Sequence, residues 1–177
     1  MAIRRVLKMG DPRLRERARE VTAGELADGA LRPLLADMQD TLRDYGGIGL
    51  AAPQIGEGVR VAIIEIAGGP TRYGELAPLP LTAFINPTIT VLDAATAGYW
   101  EGCLSVPGLR GYVERPQHVQ VDYTAVDGRE QQLELQGFSA TVFQHEFDHL
   151  DGTLYIDRIA DTRLLAFERE YERFHFD

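Results

Sequence analysis

His145 and His149 stand four residues apart, with Glu146 directly after the first, an H-E-x-x-H pattern inside Gln144-His145-Glu146-Phe147-Asp148-His149-Leu150. Four residues make about one helical turn, so both imidazoles leave one face and can share a metal ion. Glu146 is then placed to handle the proton of a water at that metal. In a chain of 177 residues such a match arises by chance roughly once in two hundred. Only His118 and His175 lie elsewhere, so half of the histidines fall in this one pentapeptide. Two imidazoles do not complete a catalytic site of the zinc type, which takes three protein ligands and leaves a position for water. A carboxylate or a thiolate can supply the third. The single cysteine, Cys103, lies in Trp100-Glu101-Gly102-Cys103-Leu104-Ser105-Val106-Pro107-Gly108. Gly102 permits close backbone approach there, and Pro107-Gly108 turns the chain. A lone cysteine is more often a small buried hydrophobe than a ligand. On chemistry alone both readings of Cys103 stay open.

A third stretch, Gly46-Gly47-Ile48-Gly49-Leu50-Ala51-Ala52-Pro53-Gln54-Ile55-Gly56, is rich in small residues. It misses G-x-G-x-x-G because Ala52 stands at the third glycine's place, and it comes after a predicted helix rather than a strand. Dinucleotide binding is therefore set aside. Small residues let a peptide backbone lie close, and the Gln54 amide can aim an N–H at a developing oxyanion.

Together the three stretches resemble the signature motifs of the peptide deformylase family. Gly47 to Gln54 is similar to its G-x-G-L-A-A-x-Q, Glu101 to Ser105 to its E-G-C-L-S, and Gln144 to Leu150 to its Q-H-E-x-D-H-L. The order is the family's, and the likeness runs from about Asp11-Pro12 to Ile156. The resemblance implies Cys103, His145 and His149 as metal ligands and Glu146 as general base and acid. It implies Gln54 and the backbone N–H of Leu104 as oxyanion stabilisers. Ile48, Gly49, Gly102 and Arg110 fall where the family contacts the peptide, and Phe138 and Val142 where it takes the methionine side chain. The cofactor implied is one divalent metal ion, Fe²⁺ in cells, with Zn²⁺, Ni²⁺ or Co²⁺ as substitutes. The implied reaction removes the N-formyl group from the formylmethionine of newly synthesised polypeptides. A metallopeptidase of the H-E-x-x-H type is the alternative, and a silent metal- or peptide-binding module a further one. Against the peptidase stand the Cys103 motif and the absence of a zincin's third-ligand signature; against the silent module stand intact Glu146 and Gln54. The Gly/Pro-rich stretch 68–80 looks longer than in compact bacterial members, and Trp100 precedes the second motif. Both features lean toward the subgroup shared with mitochondrial and plant enzymes. A transient ribosome contact is also implied, although residues 161–177 carry three arginines against five acids, unlike a basic docking helix.

Elements able to position these residues are legible in the periodicity. Asp11-Pro12 opens a turn or short helix. Thr22 and Glu25 have capping-box spacing, but Gly29 and Pro33 interrupt the helical pattern beyond them, so the first secure helix is expected from about Leu31. Leu31, Leu34, Leu35, Met38, Leu42 and Tyr45 recur at helical spacing, and Gly46-Gly47 is a natural stop. Val59 to Ile66 reads as a buried strand. Residues 68–80 read as a surface loop, and 82–92 as a strand broken by a bend or placed at an edge at Asn86-Pro87. His118 to Val126 alternates with Val119, Val121, Tyr123 and Ala125 on one face. Asp127-Gly128 then predicts a two-residue hairpin turn into a strand with Leu133 and Leu135. From Phe138 the period becomes helical through Val142, Phe143, Phe147 and Leu150, with Gly152 as the stop. A last amphipathic helix is expected from Asp161. Strands segregate from helices, so the expected class is α+β, a largely antiparallel sheet packed around a central H-E-x-x-H helix. Residues 1–177 are read as one catalytic domain.

Composition bounds the function. Apolar residues make up 45% and charged residues 25%, both near globular averages. Apolar runs fall far short of a membrane span. One cysteine excludes an internal disulfide framework and fits a reducing compartment; the family resemblance implies a bacterial-type cytoplasm, with an organellar matrix the lesser alternative. Net charge is −9, which argues against direct nucleic-acid binding. Residues 1–19 hold seven basic and two acidic side chains. The bland reading, a solvated face of the folded chain, fits them better than a targeting segment, since they lack serines and carry acids.

Overall fold

Two helices pack on opposite faces of one antiparallel sheet, and strand alternation decides which helix each side chain meets. The computed structural model describes residues 2–176. A 3₁₀ turn at Pro12–Arg15 is capped by the Asp11 carboxylate, which accepts from the Arg13 N–H at 3.1 Å. Helix α1 (Ala23–Ala27) comes next, then α2 (Leu31–Tyr45). The short α1 was not expected as a secure element. It forms because the Thr22/Glu25 box closes in both directions, at 2.9 and 3.3 Å, satisfying two otherwise orphaned N–H groups. Helix α2 stops at Gly46, whose φ of +71° places it in the left-handed region open to glycine.

Strands β1 (Gly49–Ala51) and β2 (Val61–Ile66) lie beyond that stop. The Gly/Pro-rich stretch is not a bare loop. It folds as a small hairpin of β3 (Gly69–Thr71) and β4 (Gly74–Leu76), with Leu76 buried. Two long strands, β5 (Leu79–Cys103) and β6 (Val106–Thr124), then form the main hairpin, and β7 (Glu130–Gln136) completes the meander. Helix α3 (Phe138–Asp148), a 3₁₀ turn at His149–Asp151, β8 (Leu165–Phe167) and α4 (Glu168–Phe174) end the chain. The main sheet runs β1-β2-β5-β6-β7, with β8 also on β6, every pair antiparallel.

Three local expectations need correction or refinement. At Asn86-Pro87 a bend forms: the register shifts between Ile85 and Thr88, and Asn86 adopts φ +50°, while β5 itself lies inside the sheet. Pro87 falls within that irregularity, so its missing N–H breaks no regular ladder pair. The turn between β6 and β7 has three residues, not two: Ala125 and Arg129 still pair at 2.8 Å, with Gly128 at φ +83°. The last helix starts at Glu168 rather than Asp161, because Leu165–Phe167 pair with Leu109–Gly111 of β6 as a strand.

Along β2, Val61 and Ile63 pack toward α2 with Met38, Leu42 and Leu50. Ala62, Ile64 and Ile66 pack on the other face toward Phe143, Phe147 and Val142 of α3. Both faces of β2 are covered, so its sequence is almost continuously apolar. Each valine, leucine, isoleucine, methionine or phenylalanine so buried stabilises by about 1.5–3 kcal/mol relative to exposure. The same alternation sends Leu50 to the α2 side and Ala51 to the α3 side. Gly49, two residues before Ala51, therefore also faces α3. The basic N-terminus is tied down by ion pairs, Arg4 to Asp37 and Glu57, and Arg19 to Glu25.

Candidate active site

The tip of the β5–β6 hairpin delivers the cysteine. Cys103 closes β5 opposite Val106, leaving Leu104 and Ser105 as the turn. Glu101 and Cys103 are two residues apart on the strand and point to the same side. Gly102 between them leaves room for Arg110, since a Cβ there would lie 2.1 Å from the guanidinium Nη1. The turn is fastened from outside by Lys8, whose Nζ donates to the Leu104 carbonyl at 2.7 Å, and by the Met9 N–H on the Ser105 carbonyl at 2.7 Å.

Helix α3 brings His145 and Glu146 against this tip, and the 3₁₀ turn at its end brings His149. Donor atoms of Cys103, His145 and His149 all lie within 4.8 Å of one another, with His149 Nε2 at 3.3 Å from Cys103 Sγ. His145 Nδ1 is engaged by Glu101 at 2.7 Å, which leaves Nε2 as the nitrogen able to ligate a metal. Glu101 is in turn gripped by Arg115 at 2.7 and 3.0 Å, and Arg115 reaches Asp148 at 2.8 Å. Arg158 holds the other Asp148 oxygen at 2.7 Å. The buried Glu101, Arg115 and Asp148, with the half-exposed Arg158, form a support behind the first imidazole. Neither Glu101 nor Asp148 was assigned a role from the sequence, although both stand inside the quoted motifs beside candidate ligands. Arg115 carries no local signal.

Burial pushes the Cys103 thiol up, but the imidazoles of His149 and His145 more than reverse this and hold it well below the ordinary thiol range. The site thus favours a thiolate. Glu146 shows the opposite balance: burial raises its carboxyl, and the nearby imidazoles only partly offset that. Its Oε2 and the Nδ1 of His149 are buried polar atoms that make no hydrogen bond among the described residues. One thiolate, two imidazoles and a neighbouring unsatisfied carboxylate oxygen fit a divalent metal ion with a water beside it.

All but His149 of the sequence-selected residues line one cleft of about 660 Å³. Gln54 accepts from the Ala51 N–H at 2.8 Å through Oε1. That fixes the amide so that Nε2 faces Ser105 Oγ at 3.2 Å and Cys103 Sγ at 3.6 Å. Gly49 lies under Glu146, where a Cβ would stand 2.5–2.7 Å from the Cδ, Cγ and Oε1 of that side chain. Ile48 sits exposed at the rim, while Phe138 and Val142 form the far wall. Arg110 also lines the cleft, but its guanidinium is paired with Glu168 of α4 at 2.6 and 3.1 Å. That partner was not foreseen, because it comes from the segment expected to be continuous helix.

A donor set of this kind beside a carboxylate of raised proton affinity is the arrangement of a metal-dependent hydrolase. Comparisons with known proteins agree. Residues 3–164 match the sequence profile of the polypeptide deformylase family. The chain is 39% identical over 172 residues to a peptide deformylase of Leptospira biflexa, covering 97% of this chain and 96% of the relative. It is 44% identical over 165 residues to peptide deformylase 2 of Pseudomonas syringae pathovar tomato, covering 93% and 92%. Among solved structures, a Met-Ala-Ser-bound class I type b peptide deformylase from Acinetobacter baumannii is similar with a TM-score of 0.80 at 36% identity, over 89% of this chain and 99% of that one. The peptide deformylase of Thermotoga maritima gives 0.76 at 38%, over 91% and 100%. The chain belongs to the polypeptide deformylase family. Its activity is the metal-dependent hydrolysis of the N-formyl group of formylmethionine at the start of new polypeptides, and the metallopeptidase reading is not favoured.

Proposed function

We propose that one catalytic domain spanning 1–177 carries out this reaction, with its labour divided among three groups of residues. Cys103, His145 and His149 hold the metal, Fe²⁺ in the cell, with Zn²⁺, Ni²⁺ or Co²⁺ able to replace it. A metal so held supplies Lewis acidity toward the formyl oxygen and the attacking water. Glu146 takes the water's proton as the C–O bond forms, then delivers it to the amine nitrogen as the C–N bond breaks, releasing formate and a free N-terminus. The raised proton affinity of Glu146 suits a group that must both accept and return a proton. Gln54 Nε2 and the Leu104 N–H stabilise the negative charge developing on the formyl oxygen. Ile48, Gly49, Gly102 and Arg110 hold the peptide, and Phe138 and Val142 receive the methionine side chain. Substrate polypeptides are met in the cytoplasm in transient contact with the ribosome.

The observation that carries this reading is the convergence of Cys103, His145 and His149 beside the unsatisfied Oε2 of Glu146. The test is Cys103→Ser, which changes little volume but replaces a thiolate by a poorly ionised hydroxyl. The variant should bind metal poorly and release little formate from formyl-Met-Ala-Ser. A buried core cysteine would instead cost about 1–2 kcal/mol of stability and spare the metal. Full metal occupancy with normal formate release would falsify the proposed ligand set. Activity on unblocked casein in place of the formyl peptide would return the metallopeptidase.

A further inference from the structure

The β3–β4 hairpin, which the sequence presents as a surface loop, reaches the cleft through the two residues of its turn, Arg72 and Tyr73. The Tyr73 hydroxyl accepts from the Trp100 N–H at 3.2 Å and donates to the Trp100 carbonyl at 3.3 Å. Its ring centroid lies 4.7 Å from Tyr99 and 4.7 Å from Phe138, and those two are 5.1 Å apart, so the three rings are in mutual contact. Burial first, and the neighbouring Tyr171, push the Tyr73 phenol up to about 12. At neutral pH it therefore keeps the proton it donates to Trp100. Arg72 braces the same turn from the other side: its guanidinium lies 5.5 Å from the Tyr171 ring and 4.7 Å from Phe176, bonds the Tyr171 hydroxyl, and donates to the His175 carbonyl at 3.1 Å. A two-stranded hairpin is marginal alone. Here it is fastened to β5 and to the C-terminal segment, and its aromatic ring becomes fixed wall.

We propose that Tyr73 is a specificity-determining residue whose ring, with Phe138, closes the recess that takes the side chain of the formylated residue, limiting it to an unbranched chain of methionine length. The inference rests on the reading of Phe138 and Val142 as that recess. Tyr73, Phe138, Thr141 and Val142 line the same cleft as Cys103 and Glu146. Rigid aromatic edges also suit a polarizable thioether better than a second bulky ring, which would need the space Tyr73 occupies.

The test compares kcat/KM of the full-length, metal-loaded enzyme on formyl-Met-Ala-Ser, formyl-norleucine-Ala-Ser and formyl-Phe-Ala-Ser. Tyr73→Ala should raise the formyl-Phe to formyl-Met ratio roughly tenfold or more, chiefly through KM. Tyr73→Leu should shift it less, in the same direction, and carries the test alone if the alanine variant does not fold. Tyr73→Phe keeps the ring and should keep the wild-type ratio while losing the anchor to Trp100. Unshifted ratios in the alanine and leucine variants overturn the proposal. An equal loss on all three peptides, or a shift in Tyr73→Phe as large as in Tyr73→Ala, overturns it too, since either points to hairpin folding rather than recess depth. A wild type inert on every formyl peptide would instead remove the deformylase reading, and this inference with it.

Discussion

Replacing Arg115 by methionine takes one cation out of the buried cluster that ties the metal-site helix to β5. The side chains of Arg115, Glu101 and Asp148 are 4%, 5% and 11% exposed. Asp148 keeps Arg158 at 2.7 Å and remains paired. Among the described residues Glu101 keeps only the Nδ1 of His145, at 2.7 Å. Breaking a buried pair by removing one partner costs about 3–5 kcal/mol. Methionine is large and flexible enough to refill much of the space, so a cavity adds little. For a chain of this size each kcal/mol moves Tm by about 2–4 °C, so a fall of roughly 6–20 °C is expected. The effect extends to the metal. Burial already pushes the Glu101 carboxyl up, and His145 and Arg115 together hold it below its ordinary range. Without Arg115 its proton affinity rises, and its hold on the Nδ1–H of His145 weakens. Metal affinity should drop about 10–100-fold. Calorimetry on the metal-free chain and titration against a competing chelator measure the two effects separately. In the double variant Arg115→Met/Glu101→Gln the buried charge is gone, while the amide oxygen still accepts from His145 Nδ1–H. It should regain more than half of the lost Tm. A single variant melting within about 2 °C of wild type, or a double variant less stable than the single, would refute the reasoning.

If Glu146 has the proposed role, Glu146→Gln should keep its metal and lose on the order of 10²–10⁴ in kcat, because it would remove proton transfer and not a ligand; formate release and metal stoichiometry measured on one sample decide this. Gly49→Ala forces the Glu146 side chain aside, since the new methyl would meet it at 2.5–2.7 Å. Turnover should fall roughly 10²-fold with metal content unchanged, and a normal kcat would show that Glu146 tolerates displacement. Glu25 is held down at about 2, by Arg19 first and then by the Thr22 N–H and hydroxyl. A depressed carboxyl is protonated first in the unfolded chain, so its stabilisation is complete above the ordinary value of 4.5 and is lost as pH falls toward about 2. The Tm gap between wild type and Glu25→Gln should therefore narrow across that window, and a gap that stays constant through it counts against the Arg19 pairing and the Thr22 capping bonds as its source.

Local chemistry was legible in the chain. The H-E-x-x-H spacing, the thiol beside Gly102 and the small residues before Gln54 are written at fixed offsets, and those offsets become geometry as soon as a helix, a strand end and a turn form around them. Helix α2 with its Gly46 stop, the buried β2 and the change of period at Phe138 come from the same short-range rules. What needed the tertiary structure was everything joined across long separations. Arg115 meets Glu101 and Asp148 from 14 and 33 residues away, Glu168 claims Arg110 from 58, and Tyr73 finds Trp100 from 27. The stretch 161–167 looked helical because its apolar spacing fits either period. Only the free edge of β6 at Leu109–Gly111 turned residues 165–167 into a strand. A residue's own neighbours set its backbone preference, but which buried charge it meets, and which open strand edge it completes, depends on how the packed layers bring distant segments within a few ångströms.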